Sequence, residues 1–194
     1  MSNEVYRLMT KKEIEDWYKT DFREAFLENE RKPLDDIFAL IEENRYEIWG
    51  LFLDNELIGY STLWKREGIP VVLLDYLGVK KNLRNGGIGS KILKLLQLKN
   101  MTIIVESEMP ISGDKKEEND IRLRRIEFYK RNGFTPTYEM ATCGMRWQAL
   151  IGNGDGLGIN DIMKWHKALY GEERIDVKVP LLKDEIPEMP YWMK

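Results

Sequence analysis

The sequence predicts an α/β protein built on a mixed sheet, and three observations carry that expectation. "YEIWGLFL" and "ELIGYSTLW" are separated only by Asp54 and Asn55, the pattern of an antiparallel hairpin. "VVLLDYLGV" follows and is almost continuously apolar, as expected of a strand covered on both faces. Beyond it, helical patterns alternate with strands, and the first of these helices stands directly behind Gly86, Gly87 and Gly89.

"VYRLM" reads as a first strand. Thr10 and Glu13 have the spacing of a capping box, and Ile14, Trp17, Tyr18, Phe22 and Ala25 then share a helical stripe. Pro33 suits the first turn of a second helix that buries Leu34, Ile37, Phe38 and Ile41. After the hairpin, Gly68 and Pro70 mark a turn into "VVLLDYLGV". The helix behind the glycines presents Ile88, Ile92, Leu95 and Leu96 on one side. "MTIIVESE" is a strand and "MPISGDKKEEND" a polar loop. "DIRLRRIEFYKRNG" is a helix stopped by Gly133. "FTPTYEMATCGMRWQAL" gives a pair of strands, and a last helix spans about residues 160–170, capped by Asn160. We place one domain at residues 1–150 and a helical extension at 151–194. The Met, Tyr and Trp residues of "PEMPYWMK" would be covered by the domain or by a second subunit, which makes a homodimer one expected assembly.

Composition narrows the function. Hydrophobic residues are 43% and charged residues 32% of 194, the balance of a globular protein with a sizeable core. A net charge of −3 argues against nucleic acid as a partner. No apolar run approaches a membrane span, and the charged start "MSNEVYRLMTKKEIEDW" lacks a signal-peptide core, so the expected location is cytoplasmic. Cys143 is the only cysteine, which rules out an intrachain disulfide.

The glycine cluster calls for a physical reason, because glycine weakens a helix. Two readings fit: a turn that needs positive φ, or backbone N–H groups left uncovered for an anion at a helix start. A Walker loop is excluded, since "GIGSK" has the wrong order and spacing, and G-x-G-x-x-G is absent. What stands here is R-x-x-G-x-G, from Arg84 to Gly89, after a strand ending in Val79 and before an amphipathic helix. A second landmark is "RRIEFYKRNGF", a helix ending Tyr-x-x-x-Gly-Phe before a strand.

Together, in this order, these motifs resemble the GNAT superfamily of acetyl-CoA-dependent N-acetyltransferases. The resemblance covers roughly residues 4–150, and the element order β-α-α-β-β-β-α-β-α-β-β is the GNAT order. It implies the GNAT acyltransferase fold, acetyl-CoA as cosubstrate, no metal, and an amine of a small molecule or peptide as acceptor. The alternative is a non-catalytic acyl-CoA-binding module of the same fold. By the resemblance, the backbone at Leu77, Gly78 and Val79 would pair with the pantetheine arm. The N–H groups of Arg84, Asn85, Gly86, Gly87, Ile88, Gly89 and Ser90 would hold the pyrophosphate. The thioester would lie between "LLDYLGV" and "IIVESE". Tyr129 matches the tyrosine that protonates the leaving thiolate.

The base is less defined. Glu106 and Glu108 point the same way from one strand, and either could take the amine proton or pair with Arg122, Arg124 or Arg125. Asp75 is a third candidate. Glu106 is the expected base. In GNAT helices of this kind the residues seven and four before the tyrosine are often Asn and Ala. Here they are Arg122 and Arg125, on one stripe with Tyr129, and we expect both to be buried against carboxylates. "IGNGDGLGIND" fails as a calcium loop, because Ile151 and Ile162 would occupy ligand positions. His166, the only histidine, reads as an ordinary helix-face residue.

Overall fold

The computed structural model describes residues 3–183, so "PEMPYWMK" lies outside the described residues. The described chain falls into two compact units. One takes the residues up to Glu67 with Leu74–Lys99, and the other takes Gly68–Leu73 with the residues from Asn100 on.

In the first unit, strand β1 (Glu4–Leu8) pairs antiparallel with β2 (Tyr46–Leu53), and β2 with β3 (Glu56–Trp64). The β2–β3 turn uses Asp54 and Asn55 at φ 49° and 70°, a left-handed conformation that Asp and Asn tolerate through local hydrogen bonds. β4 (Val71–Val79) follows β3 in the strand order, and its residues from Leu74 on count with this unit. Helix α1 (Lys11–Trp17) starts with both halves of the expected capping box, Glu13 N–H to Thr10 Oγ1 at 3.4 Å and Thr10 N–H to Glu13 Oε2 at 2.7 Å. It then widens into a π-helical turn over Tyr18–Phe22, where the Thr20 hydroxyl bonds the Asp16 carbonyl, before the short α2 (Arg23–Ala25). This turn keeps Trp17 and Phe22 in contact, with tilted rings and centroids 4.5 Å apart, and Trp17 edge-on to Tyr60 at 5.1 Å. All three rings are buried. Burying Phe22 alone contributes about 1.5–3 kcal/mol.

Helix α3 (Leu34–Glu42) buries Ile37. Helix α4 (Ile88–Gln97) buries Ile92, Leu93 and Leu96, so the covered stripe is rotated from the expected one and takes Leu93 where Leu95 was predicted.

In the second unit the strand order is β5-β7-β6, all antiparallel, from β5 (Thr102–Glu108), β6 (Thr135–Thr142) and β7 (Met145–Gly152). Helix α5 (Lys116–Arg131) starts earlier than predicted. Glu117 and Glu118 suit the positive end of the helix, and the Asn119 side chain bonds both N–H and C=O of Ile111, tying the loop to the new first turn. Helix α6 (Ile159–Tyr170) is capped at Gly158 and not at Asn160. The chain beyond it returns to β6 through a bridge between Lys178 and Ala141.

Asp176 anchors that return. Its carboxylate accepts from Arg174 Nε at 2.8 Å and Arg174 Nη2 at 2.9 Å, and from Thr142 Oγ1 and the Cys143 N–H, both at 3.2 Å. Burial pushes the carboxyl up, but these donors outweigh it and hold it at about 2. A carboxyl depressed in the folded state contributes stability above its unfolded pKa, and loses it as pH falls through the folded value. The group should therefore contribute about 2 kcal/mol above pH 4 and progressively less toward pH 2. Urea melts of the parent and Asp176→Asn should differ by about that amount at pH 7 and converge near pH 2. A gap that does not change with pH would contradict this.

Candidate functional site

β4 ends at Val79, and the chain passes through a single turn, Lys81–Leu83, into the glycines. Gly87 is the N-cap of α4, with φ 80° and ψ −1°. An added Cβ there would strain the backbone, while the space around it is open. Asn85 also has positive φ, at 66°. Two left-handed residues so close together turn successive N–H groups outward. Among the described residues, none of the backbone N–H groups from Asn85 to Ser90 donates to a protein acceptor, and the first intrahelical bond is Lys91 N–H to the Gly87 carbonyl at 3.0 Å. Residues 84–87 are exposed. Arg84 folds back, its Nε 3.4 Å from the Val79 carbonyl, and Lys80 and Lys81 flank the loop. Uncovered N–H groups, a helix dipole and nearby cations form an anion cradle that fits a pyrophosphate.

Gly78 has a separate reason. A Cβ at this position would stand 2.1 Å from Tyr60 Cζ, so the buried Tyr60 ring occupies the space that a side chain between Leu77 and Val79 would need. Thus Leu77, Gly78, Val79 and residues 84–90 share the first unit, while Glu106 and Tyr129 belong to the second.

Tyr129 sits near the C-terminal end of α5, edge-on to Phe128 at 5.3 Å and to Phe134 at 5.9 Å. Its carbonyl accepts from the Phe134 N–H at 3.1 Å, and Gly133 at φ 86° makes that return feasible. Burial pushes the phenol up to about 12, against a smaller downward pull from the Arg125 guanidinium. The hydroxyl therefore holds its proton throughout the neutral range.

The two arginines separate. Arg122 is the enclosed one, with a side chain 12% exposed, 3.2 Å from Glu108 and 2.6 Å from Asp114. Arg125 is 58% exposed and reaches Glu108 only at 3.8 Å, so its expected burial is corrected. Asp114 on the preceding loop decides between them, because it closes over Arg122. We expect Arg122→Ala to lower stability by about 3 kcal/mol, because two carboxylates lose their partner. Arg125→Ala should stay within about 0.5 kcal/mol of the parent. Denaturant melts of both variants check the order, and equal losses would contradict it.

Glu106 has different company from Glu108. Its carboxylate accepts from the Tyr170 hydroxyl at 2.7 and 2.8 Å, and His166 Nε2 lies 2.8 Å from Oε1. The other imidazole nitrogen, Nδ1, is 2.8 Å from the Tyr138 hydroxyl. His166 is fully buried, which corrects its reading as an ordinary helix-face residue. The spacing Ile162, His166, Leu169, Tyr170 carries the missed signal, since it puts the histidine on the buried stripe of α6. Asp75, the third acid, is held by Lys32 Nζ at 2.7 Å and by the Tyr46 hydroxyl.

Residues 44–136 match the family model of the acetyltransferase (GNAT) domain. Over this stretch the chain is similar to a GNAT acetyltransferase domain. A curated relative, "Putative acetyltransferase YjbC" of Bacillus subtilis (strain 168), is 30% identical over 104 residues. The match covers 54% of this chain, and the chain spans about half, 49%, of that relative. Among solved structures, a "putative acetyltransferase from GNAT family" of Bacteroides thetaiotaomicron is similar with a TM-score of 0.66 at 20% identity, over 84% of this chain and 94% of the other. An aminoglycoside 6'-N-acetyltransferase complexed with coenzyme A is similar with a TM-score of 0.54 at 13% identity, over 76% and 95% of the two chains. At these identities the likeness concerns the fold. The GNAT fold accounts for a strand, glycine loop and helix in direct succession.

Proposed function

We propose that this chain transfers an acetyl group from acetyl-CoA to a primary amine of a small molecule or peptide. The row of uncovered N–H groups from Asn85 to Ser90 carries the reading, because such a row on an exposed helix start is built to receive a diphosphate. Its place within the residues that match the GNAT family model, and the coenzyme A complex of a fold relative, support reading that diphosphate as the one in coenzyme A.

Acetyl-CoA supplies an activated thioester, and the residues supply position and proton transfer. The N–H groups of Asn85, Gly86, Gly87, Ile88, Gly89 and Ser90 hold the pyrophosphate, while the Arg84 N–H, expected to join them, already donates to the Lys81 carbonyl at 3.5 Å. The backbone at Leu77, Gly78 and Val79 aligns the pantetheine arm. Glu106 takes the proton that the attacking amine must lose. Its Oε2 bonds only Tyr170 among the described residues, which leaves acceptor capacity for that proton or for a bridging water. His166 and Tyr170 fix the carboxylate in place. Tyr129 gives its proton to the departing sulfur. In this account residues 1–150 bear the reaction, and the segment 151–194 contributes through α6.

The test is thiol release from acetyl-CoA across a panel of alkylamines, polyamines, aminoglycosides and peptides. Amine-dependent release is the expected result. Coenzyme A affinity with no turnover on any amine would leave only an acyl-CoA-binding module.

A further inference from the structure

The environment of Lys32 goes beyond a simple ion pair. The residue lies in the loop before α3, and its ammonium meets Asp75 Oδ2 at 2.7 Å. Three rings surround the same nitrogen, with centroids at 4.7 Å for Trp64, 5.3 Å for Tyr76 and 5.8 Å for Tyr46. The anion is rigidly aimed. Tyr46 is buried, and its hydroxyl bonds both Asp75 and Thr62 Oγ1, which in turn accepts from the Tyr76 N–H at 3.0 Å. The occupant is tied less firmly. Its loop hangs on Tyr76, whose hydroxyl donates to the Glu30 carbonyl at 2.7 Å and accepts from the Lys32 N–H at 3.3 Å. The Lys32 side chain is still 22% exposed and Asp75 15% exposed, so the nitrogen is reachable from solvent.

An ion pair needs only one carboxylate. Three π-faces around the cation add a preference for a compact, charged ammonium over a neutral or anionic group. That preference does not depend on which molecule carries the ammonium. All these residues belong to the first unit, which also carries β4 and the anion cradle. We propose that Asp75, Tyr46, Trp64 and Tyr76 form a docking site for a primary ammonium of the acceptor, from which the amine must lose its proton before it attacks. Lys32 is its built-in occupant, displaced when an acceptor enters. The assignment as acceptor site rests on the acyl-transfer reading; the binding of the ammonium does not.

The probe is n-butylammonium at pH 7.5, read by titration calorimetry and by the shift in melting temperature that a native-state ligand produces. No coenzyme A is present, so the outcome is independent of the loop and of turnover. Lys32→Ala should bind the probe at least tenfold more tightly than the parent, and the probe should raise its melting temperature. Adding Asp75→Asn to Lys32→Ala should remove both effects, and neutral n-butanol should produce neither. The melting readout works on a destabilised protein, and Lys32→Ser serves in the same assay if the alanine variant does not fold. Comparing 1,5-diaminopentane with Nα-acetyl-lysine amide then identifies the source as a free polyamine or a peptide lysine. A folded Lys32 variant that binds butylammonium no better than the parent overturns the proposal, as does binding that survives Asp75→Asn. Loss of coenzyme A affinity elsewhere would sink the acyl-transfer reading and leave this binding result standing.

Discussion

Tyr129→Phe should lower the turnover number roughly a hundredfold while leaving the fold and coenzyme A affinity nearly unchanged. The variant keeps the ring and its edge contacts with Phe128 and Phe134, and removes one oxygen. No hydrogen bond holds that hydroxyl among the described residues, so little stability should go with it. The phenol is pushed up to about 12, which means that it carries a proton at every ordinary assay pH. A thiolate leaving the thioester needs such a donor. The parent rate should show no alkaline loss from Tyr129 below about pH 10, because an acid of raised pKa stays protonated past its free value. Full activity in the Phe variant would mean that water or another group protonates the sulfur. Parallel loss of folding and activity would make Tyr129 structural.

Gly87→Val should weaken coenzyme A binding by at least tenfold, about 1.4 kcal/mol. Two physical effects act together. At φ 80° a β-branched residue is strained, by about 1–3 kcal/mol. Its methyl groups would also stand before the N–H row that the pyrophosphate must approach. Measuring stability and affinity on the same protein separates the two, since strain lowers the melting temperature and obstruction lowers affinity. Gly87→Ala adds most of the strain and little of the obstruction, so it should retain more affinity than the valine variant at similar stability. Unchanged affinity in a folded Gly87→Val protein would remove the loop from the cofactor site.

What could be read from the sequence was local. The Thr10–Glu13 capping box, the Asp54–Asn55 hairpin and the strand "VVLLDYLGV" each depend on neighbours a few positions away, and each formed. The strand–glycine–helix succession was legible for the same reason, because positive φ at Gly87 and the amphipathic stripe behind it are encoded side by side. What escaped depends on distant partners. Glu106 and His166 are 60 positions apart, and nothing near either residue announces the pair. Arg122 and Arg125 occupy one helical stripe, and a loop aspartate decides which is enclosed. The π-helical turn at Tyr18–Phe22 adds a residue to a helical turn without breaking the apolar pattern. Lys32 looks like any loop lysine until Tyr46, Trp64, Asp75 and Tyr76, from three different strands, converge on it.

The central claim is that backbone N–H groups on the glycine loop bind the pyrophosphate of coenzyme A. The most direct measurement is a backbone amide NMR titration of the ¹⁵N-labelled protein with coenzyme A. The amide signals of Asn85, Gly86, Gly87, Ile88, Gly89 and Ser90 should move together, saturate with one affinity, and shift downfield as donors to an anion. Dephosphorylated pantetheine, which lacks the pyrophosphate, should leave those amides in place. Saturable coenzyme A binding with these amides unmoved would contradict the account, and so would the same shifts produced by pantetheine alone.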